Sequence, residues 1–233
     1  MKVSIITCTI RSEYIDNVFE NYHNQRLKDK ELIIVLNKDD MDIETWREKA
    51  KAYENVSVYQ VSEELTLGEC LNYGIEKSTF PFIAKFDDDD FYSPFFLNEV
   101  ESAFHNYVAD IVGKTSFFAY IETEKMLVTL QKGENCYSNW VAGGTLVFKK
   151  EIWENVKFGK EKSGTDVKFL RQCRQKGYKI FSTSKSNYTH IRRSNLDTHT
   201  WKISNIEIVL KGKQVIYTDN YKPHVTSSTF FKS

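Results

Sequence analysis

The chain is short of proline: Pro81, Pro94 and Pro223 are the only three in 233 residues. No Gly/Ser-rich stretch separates two halves, which argues against a flexible interdomain linker. Net charge is absent as well, since 32 Lys and Arg balance 32 Asp and Glu. That balance gives no overall attraction to nucleic acid or to an anionic membrane, and no nucleic-acid partner is expected. No apolar run approaches the length of a membrane span. The first residues lack a cationic region followed by a long apolar run and a small-residue cleavage site, so no signal peptide is expected. Cys8, Cys70, Cys136 and Cys173 are widely spaced and form no CxxC pair. Reduced thiols in a cytoplasmic protein are the simpler reading, and a zinc site is not expected. A P-loop and a dinucleotide-type glycine loop are both missing.

What is present reads as an ordinary globular chain, with 41% hydrophobic and 27% charged residues. The first half alternates strand and helix signals. Residues 3–8 and 32–36 are continuous apolar runs, as in strands buried on both faces. Tyr14, Ile15, Val18, Phe19 and Tyr22 recur at helical spacing, as do Ile43, Trp46, Ala50 and Tyr53. A third strand around Val56, Val58 and Val61 precedes a helix on Leu67, Leu71 and Ile75, and residues 82–86 form a fourth strand. Such alternation predicts a mostly parallel sheet with helices on both faces and right-handed crossovers. Ligands then bind beyond the C-terminal ends of the strands. Further on, residues 111–131 suggest a bent hairpin, and residues 145–148, 178–182 and 188–191 further strands. Val167, Phe169, Leu170 and Cys173 give a helical face that stops at Gly177. Beyond residue 203 a helix and a strand near residues 215–217 are expected, as a C-terminal extension over 203–233.

The fourth strand runs straight into Asp87, Asp88, Asp89 and Asp90. In extended chain, residues two apart point the same way, about 6.5 Å from each other. Asp87 and Asp89 are then expected to face a common site, with Asp88 and Asp90 turned away. Hard divalent cations such as Mg²⁺ or Mn²⁺ prefer oxygen ligands, and Mg²⁺ is held by one or two carboxylates plus substrate phosphates. The bland alternative is a solvated acidic turn before a helix, since acids favour helix N-termini. The position at the end of a buried strand in a β/α pattern favours the metal reading.

Four segments together resemble the family 2 glycosyltransferases. The opening run 3–11, VSIITCTIR, is similar to the family's first strand, with Cys8 where proline is usual. The run 67–74, LGECLNYG, resembles its small-residue helix ending in Asn-x-Gly. Residues 86–90, FDDDD, resemble its L-D-x-D-D metal motif, and Gly164-Thr165-Asp166 its Gly-Glu-Asp motif. After the second strand the family's Val-Asp-Asp-Gly-Ser is replaced by Val35-Leu36-Asn37-Lys38-Asp39. The resemblance implies a GT-A α/β fold over residues 1–202, with a nucleotide-binding half (about 1–110) and a smaller, antiparallel acceptor half (about 111–202).

It also implies an inverting, hexosyltransferase-type transfer from a nucleotide-diphosphate sugar, a UDP-sugar by analogy, to a glycan or other hydroxyl acceptor. The setting it implies is polysaccharide assembly in the cytoplasm, with peripheral approach to a membrane-linked acceptor. Asp166 would be the catalytic base, taking the acceptor hydroxyl's proton. Its bland alternative is a helix cap. Thr9, Arg11, Asn37, Asp39, Asn72, Asp87 and Asp88 would line the donor. Arg192 and Arg193 would clamp the diphosphate, as arginine pairs can. Asp89 and Asp87 would ligate Mn²⁺ or Mg²⁺, with His199 as a third ligand or merely a structural histidine. Trp140, Gly143 and Gly144 would stand on the acceptor side. Two rival readings remain: a metal-dependent nucleotidyl or phosphoryl transferase, and a catalytically inactive module that binds a nucleotide-sugar or a metal ion.

Overall fold

Strands with two apolar faces need a helix layer on each, and the computed structural model, which describes residues 1–193 and 204–230, has that arrangement. The first half runs β1 (Val3–Thr9), α1 (Ile15–His23), β2 (Lys30–Leu36), α2 (Ile43–Ala50), β3 (Val56–Gln60), α3 (Leu67–Lys77), β4 (Phe82–Lys85), β5 (Phe91–Tyr92) and α4 (Phe96–Asn106). There follow β6 (Ile111–Gly113), β7 (Phe117–Ile121), β8 (Met126–Leu130), β9 (Cys136–Ser138), β10 (Val147–Lys149), α5 (Lys150–Asn155) and α6 (Thr165–Gln175). The chain continues with β11 (Ile180–Ser182), β12 (Tyr188–Arg192), α7 (Asn205–Lys211), β13 (Lys213–Tyr217) and α8 (Lys222–Val225).

Eight strands form the main sheet in the order β3-β2-β1-β4-β10-β6-β11-β9. The β1, β2, β3 and β4 pairings are parallel, as is β6 with β11, while β10 and β9 run antiparallel to their neighbours. Alternation divides the core cleanly. Leu32, Ile34 and Leu36 of β2 pack with Phe19 of α1, Trp46 of α2 and Phe96 of α4. Ile33 and Val35 pack on the other face with Leu71 of α3, Trp153 of α5 and Phe169 of α6.

A second sheet has the order β13-β8-β7-β12-β5 and is mostly antiparallel. It receives the chain directly from β4: the acidic run is the turn between β4 of the first sheet and β5 of the second. The segment expected as a C-terminal extension contributes to this sheet. Strand β13 pairs with β8, Ile208 of α7 packs on Ala119 and Ile121, and Val225 of α8 packs on Phe118 and Ile191. The expected hairpin over 111–131 also divides, with β6 in the main sheet and β7–β8 in the second. Strands β5 and β9, of two and three residues, are too short to leave a periodic pattern in the sequence.

Helix α3 brings the small-residue motif into the core. Thr66 caps it, accepting from Glu69 N while the Glu69 carboxylate accepts from Thr66 N, a reciprocal capping box. A Cβ on Gly74 would stand 2.7 Å from Ile6 Cγ2, and one on Gly68 would collide with the Gly159 carbonyl oxygen. The helix therefore lies against β1 and the 159 loop at a distance only glycine permits. Gly68→Ala is expected to lower unfolding stability by about 1–3 kcal/mol, the usual cost of overpacking. Urea denaturation checks this, and a variant as stable as wild type would mean the loop yields freely.

Candidate active site

The acidic turn sits at the C-terminal end of β4, between β1 and β10, where ligands bind in such sheets. Its shape is fixed from three sides. Phe86 and Tyr92, at the two ends of the turn, stack with ring centroids 3.7 Å apart. The amides of Asn17 and Asn21, one turn apart on α1, donate to the backbone: Asn17 Nδ2 to Asp88 O and Asp90 O, Asn21 Nδ2 to Asp90 O. Tyr92 Oη accepts from Asp87 N at 2.8 Å and donates to Gly144 O, joining the turn to the Gly143-Gly144 segment.

Residues 88–90 form a turn and bend rather than extended chain, so the two-residue pleat does not set where these side chains point. All four carboxylates have partners within the protein. Asp88 is 4% exposed and accepts from Thr9 Oγ1 and from Arg11 Nε at 3.1 Å, with Arg11 Nη2 as a further ion-pair partner. Asp89 Oδ2 is shared by Arg11 Nη2 at 2.9 Å and Arg193 Nη1 at 3.0 Å. Both guanidiniums also lie over the Tyr14 ring, at 4.6 and 4.3 Å. Asp87 pairs with Lys85 Nζ. Asp90 is 1% exposed and accepts from Tyr188 Oη, His190 Nδ1 at 2.9 Å and Ile191 N at 3.1 Å.

Asp166 joins this group from helix α6. Gly164, at φ 72°, starts α6, and Asp166 stands in its first turn. Lys85 Nζ is 3.8 Å from Asp166 Oδ2. The two glycines are walled in by these acids. A Cβ on Gly143 would collide with the Asp166 carboxylate, and one on Gly144 would lie 2.7 Å from Asp87 Oδ2 and 2.8 Å from Tyr188 Oη. Asp166 Oδ1 is buried with no hydrogen-bond partner among the described residues.

The electrostatics follow from this crowding. Desolvation at the protein wall pushes the Asp87 carboxyl up; Lys85 opposes the rise and Asp90 and Asp89 add to it, leaving a value of about 6. Its side chain keeps 36% exposure, so solvent relieves part of that pressure. Burial disfavours a charged Lys85, but Asp166 and Asp87 outweigh it and hold the ammonium above its ordinary range. Burial also works against ionising Asp90, and His190 and Tyr188 reverse the direction, holding Asp90 below the usual carboxylate range. For His190, burial disfavours the imidazolium, while Asp90 and then Asp89 raise its pKa.

A parallel sheet ending in an acidic turn, faced by an aspartate at a helix start, carries the order of elements of the resemblance. The model of the family described as Glycosyl transferase family 2 matches residues 4–159, well over half of the chain. The chain belongs to glycosyl transferase family 2. No curated protein matches its sequence. Among solved structures, S. aureus TarS 1–349 in complex with UDP-GlcNAc is similar with a TM-score of 0.67 at 16% identity, over 88% of this chain and 62% of that one. The mannosyltransferase PcManGT from Pyrobaculum calidifontis, in complex with GDP-Man and Mn²⁺, gives 0.63 at 15% identity, over 82% of this chain and 56% of that one. The chain spans about three fifths of the length of these neighbours, and at such identities the likeness is one of fold, here GT-A.

Of the residues that the family 2 resemblance nominated, the structure gathers Thr9, Arg11, Asp87, Asp88, Asp89, Asp166, Gly143, Gly144 and Arg193. Thr9 is 3% exposed and directs its hydroxyl at Asp88, so it orders the acid from behind. Two nominations are corrected. The Asn72 amide is engaged inside the protein, donating to Phe158 O and accepting from Trp153 Nε1 and Phe158 N. Arg192 does not form a clamp with Arg193. It is fully buried, with Nε 3.4 Å from Asn205 Oδ1, whereas Arg193 reaches Asp89. The end of β12 falls between them.

Asn37 and Asp39 stand beyond the end of β2, bonded to Ser62 O and Glu63 N. Trp140 is half-buried, with Lys132 Nζ 4.6 Å from its ring. His199 lies outside the described residues. Sequence reading missed Lys85, Tyr14, Asn17, Asn21, Tyr92 and Tyr188. A lysine inside the apolar run before the acids was the one available signal.

Among the described residues no three His, Cys, Asp or Glu groups are arranged to hold a metal ion. A divalent cation in a nucleotide site needs only one or two carboxylates, the phosphates supplying the rest. The charge around the turn fits that need. Among the described residues in contact, five carboxylates (Asp87 to Asp90 and Asp166) meet three permanent cations, Arg11, Lys85 and Arg193. The rise of Asp87 comes first from burial, and the neighbouring Asp90 and Asp89 add to it. Of the four, Asp87 and Asp89 are the less buried carboxylates.

The Asp90–His190 pair makes a pH prediction. The contribution of His190 is complete below its unfolded pKa of about 6.5 and is lost as pH rises through its raised folded value. That of Asp90 is complete above about 3.9 and is lost as pH falls through its lowered folded value. His190→Gln is therefore expected to cost most stability near about pH 5.5 and less near about pH 8.5. Denaturant midpoints at the two pH values measure this, and an equal cost at both would exclude the ion pair.

Proposed function

We propose that the chain transfers a sugar from a nucleotide-diphosphate donor to an acceptor hydroxyl, with inversion at the anomeric carbon. The observation that carries this reading is the meeting of the Asp87–Asp89 turn and Asp166 on either side of Gly143-Gly144. An acid cluster at the end of β4 and a single carboxylate from α6 thereby flank one glycine pair. That structural neighbours were solved with UDP-GlcNAc and with GDP-Man and Mn²⁺ supports a nucleotide-sugar as the ligand class. A UDP-sugar is the first donor to try.

In this reading Asp166 accepts the proton of the acceptor hydroxyl as that oxygen bonds to the anomeric carbon. The bond from that carbon to the diphosphate oxygen breaks, and its electron pair leaves with the diphosphate. Arg11 and Arg193, both on Asp89, stand where guanidiniums can also meet phosphate oxygens. Asn37 and Asp39, beyond β2, are the candidates to meet the base. Mn²⁺ or Mg²⁺ held by Asp87 and Asp89 would supply counter-charge to the departing diphosphate. Trp140 and Gly143-Gly144 would border the acceptor, a glycan or another hydroxyl compound. Polysaccharide assembly in the cytoplasm, with peripheral approach to a membrane-linked acceptor, is the setting suggested by family analogy alone. No helix among the described residues is long and apolar enough to cross a membrane.

Thermal shift with a panel of nucleotide-sugars, with and without Mn²⁺, tests the reading, because a ligand of the folded state raises apparent stability. Asp89→Asn is expected to lose the Mn²⁺-dependent part of the shift. Asp166→Asn is expected to keep the shift and to lower turnover by about 10²–10⁴-fold, the range for a lost general base. Full turnover in Asp166→Asn would end the base assignment, and a panel without any shift would end the donor assignment.

A further inference from the structure

Lys85 closes β4 with its side chain only 6% exposed, one residue before the stacked Phe86. A buried ammonium in an apolar strand is costly unless charges meet it. Two do, and they come from different halves of the molecule: Asp87 from the turn that follows β4, and Asp166 from the first turn of α6. Those two carboxylates repel one another, and each also adjoins a glycine wall that a side chain would fill. Asp166 has one oxygen toward Lys85 and Gly143, and its other oxygen lacks a partner among the described residues. Asp166 thus has a cation at ion-pair distance from one oxygen and a buried, unpartnered second oxygen.

We infer that Lys85 is a positioning residue: its ammonium, seated between Asp87 and Asp166, sets where the Asp166 carboxylate stands relative to the donor-side acids. The inference rests on the transferase reading, in which Asp166 takes the acceptor's proton. In this reading Lys85 acts through Asp166. Lysine suits the task, as a compact point charge on a flexible stem that can meet two acids at once. Without it, repulsion from Asp87 drives Asp166 toward solvent and the buried, unpartnered oxygen leaves its place.

The test separates binding from turnover. UDP binding in the presence of Mn²⁺ is measured by calorimetry, and turnover by UDP release from whichever UDP-sugar shifts the wild-type protein most. In Lys85→Met the affinity is expected to stay within about three-fold while turnover falls about 100-fold, the scale of a 1 Å misplacement. Lys85→Arg keeps the charge on a bulkier head and is expected to lose only about 10-fold, recovering the other ten. Unchanged turnover in Lys85→Met, an equal fall in affinity and turnover, or an arginine variant no better than methionine each overturns the inference.

If Lys85→Met does not fold, Lys85→Gln is read by the same criteria. If neither folds, Lys85→Arg decides alone: wild-type turnover overturns the inference, and a ten-fold loss at unchanged affinity supports it. Wild-type protein that no nucleotide-sugar of the panel shifts, and that releases no nucleoside diphosphate from any of them, overturns the transferase reading and this inference together. An active wild type without the split in Lys85→Met overturns this inference only.

Discussion

Like charges gathered at a partly buried corner must be neutralised where they stand, and most of the unusual features around residues 87–90 answer to that constraint. Taking an ion out of water costs several kcal/mol even after relaxation. Two opposite unit charges about 4 Å apart return about 4 kcal/mol at an effective dielectric near 20. One partner therefore scarcely covers one buried ion, and the groups around the turn are shared. Lys85 meets both Asp87 and Asp166, Arg11 meets both Asp88 and Asp89, and Asp89 meets both Arg11 and Arg193. Asp90, the most buried acid of the four, has the richest set of donors: a tyrosine, a histidine and a backbone N–H.

Charge balance alone would not hold the turn in one shape, because salt bridges can re-pair. Shape comes from neutral groups with fixed geometry. Asn17 and Asn21 donate to carbonyl oxygens, so they anchor the backbone without adding charge. The Phe86–Tyr92 stack closes the turn, and the Tyr92 hydroxyl binds Asp87 N on one side and Gly144 O on the other. Since β4 belongs to the main sheet and β5 to the second, the same contacts set how the two sheets meet. The acid cluster is thus a structural joint as well as a candidate site, and the absence of side chains at Gly143 and Gly144 is what lets the halves approach.

Much of this was legible in the chain before folding, for stated reasons. Buried parallel strands leave continuous apolar runs, so β1, β2 and β4 were readable, and so was the acid run placed at the end of β4. Gly164-Thr165-Asp166 was readable as a helix start. The partners of the acids were not. Asn17 and Asn21 look like ordinary polar positions of an amphipathic helix, and only the packing of α1 against the turn shows what they hold. Arg192 and Arg193 are equivalent in sequence, and the end of β12 falls between them, with Arg192 buried and Arg193 reaching Asp89. Asn72 sits in a motif that suggested a ligand, yet α3 presents it to Trp153 and Phe158. Pairing across sheets is non-local, and it leaves no periodicity along the chain.

The counter-charges also differ in kind, and the difference bears on how one site can serve both an anionic donor and a cation. Lys85 is buried in a strand end, so its charge belongs to the folded state and cannot withdraw. Arg11 and Arg193 reach Asp89 on long side chains that keep 18% exposure, at the rim of the cluster. On the transferase proposal, a diphosphate arriving there would offer the guanidiniums an alternative acceptor of higher charge and matching geometry. Each arginine that turns to phosphate leaves Asp89 with one fewer partner and more negative, which favours a divalent cation at the same carboxylate. Donor and cation would then enter as a neutralised unit, while the charge between Asp87 and Asp166 stays as it was. A single arrangement in which every acid had a buried, fixed partner would be more rigid, and it would have no room for either.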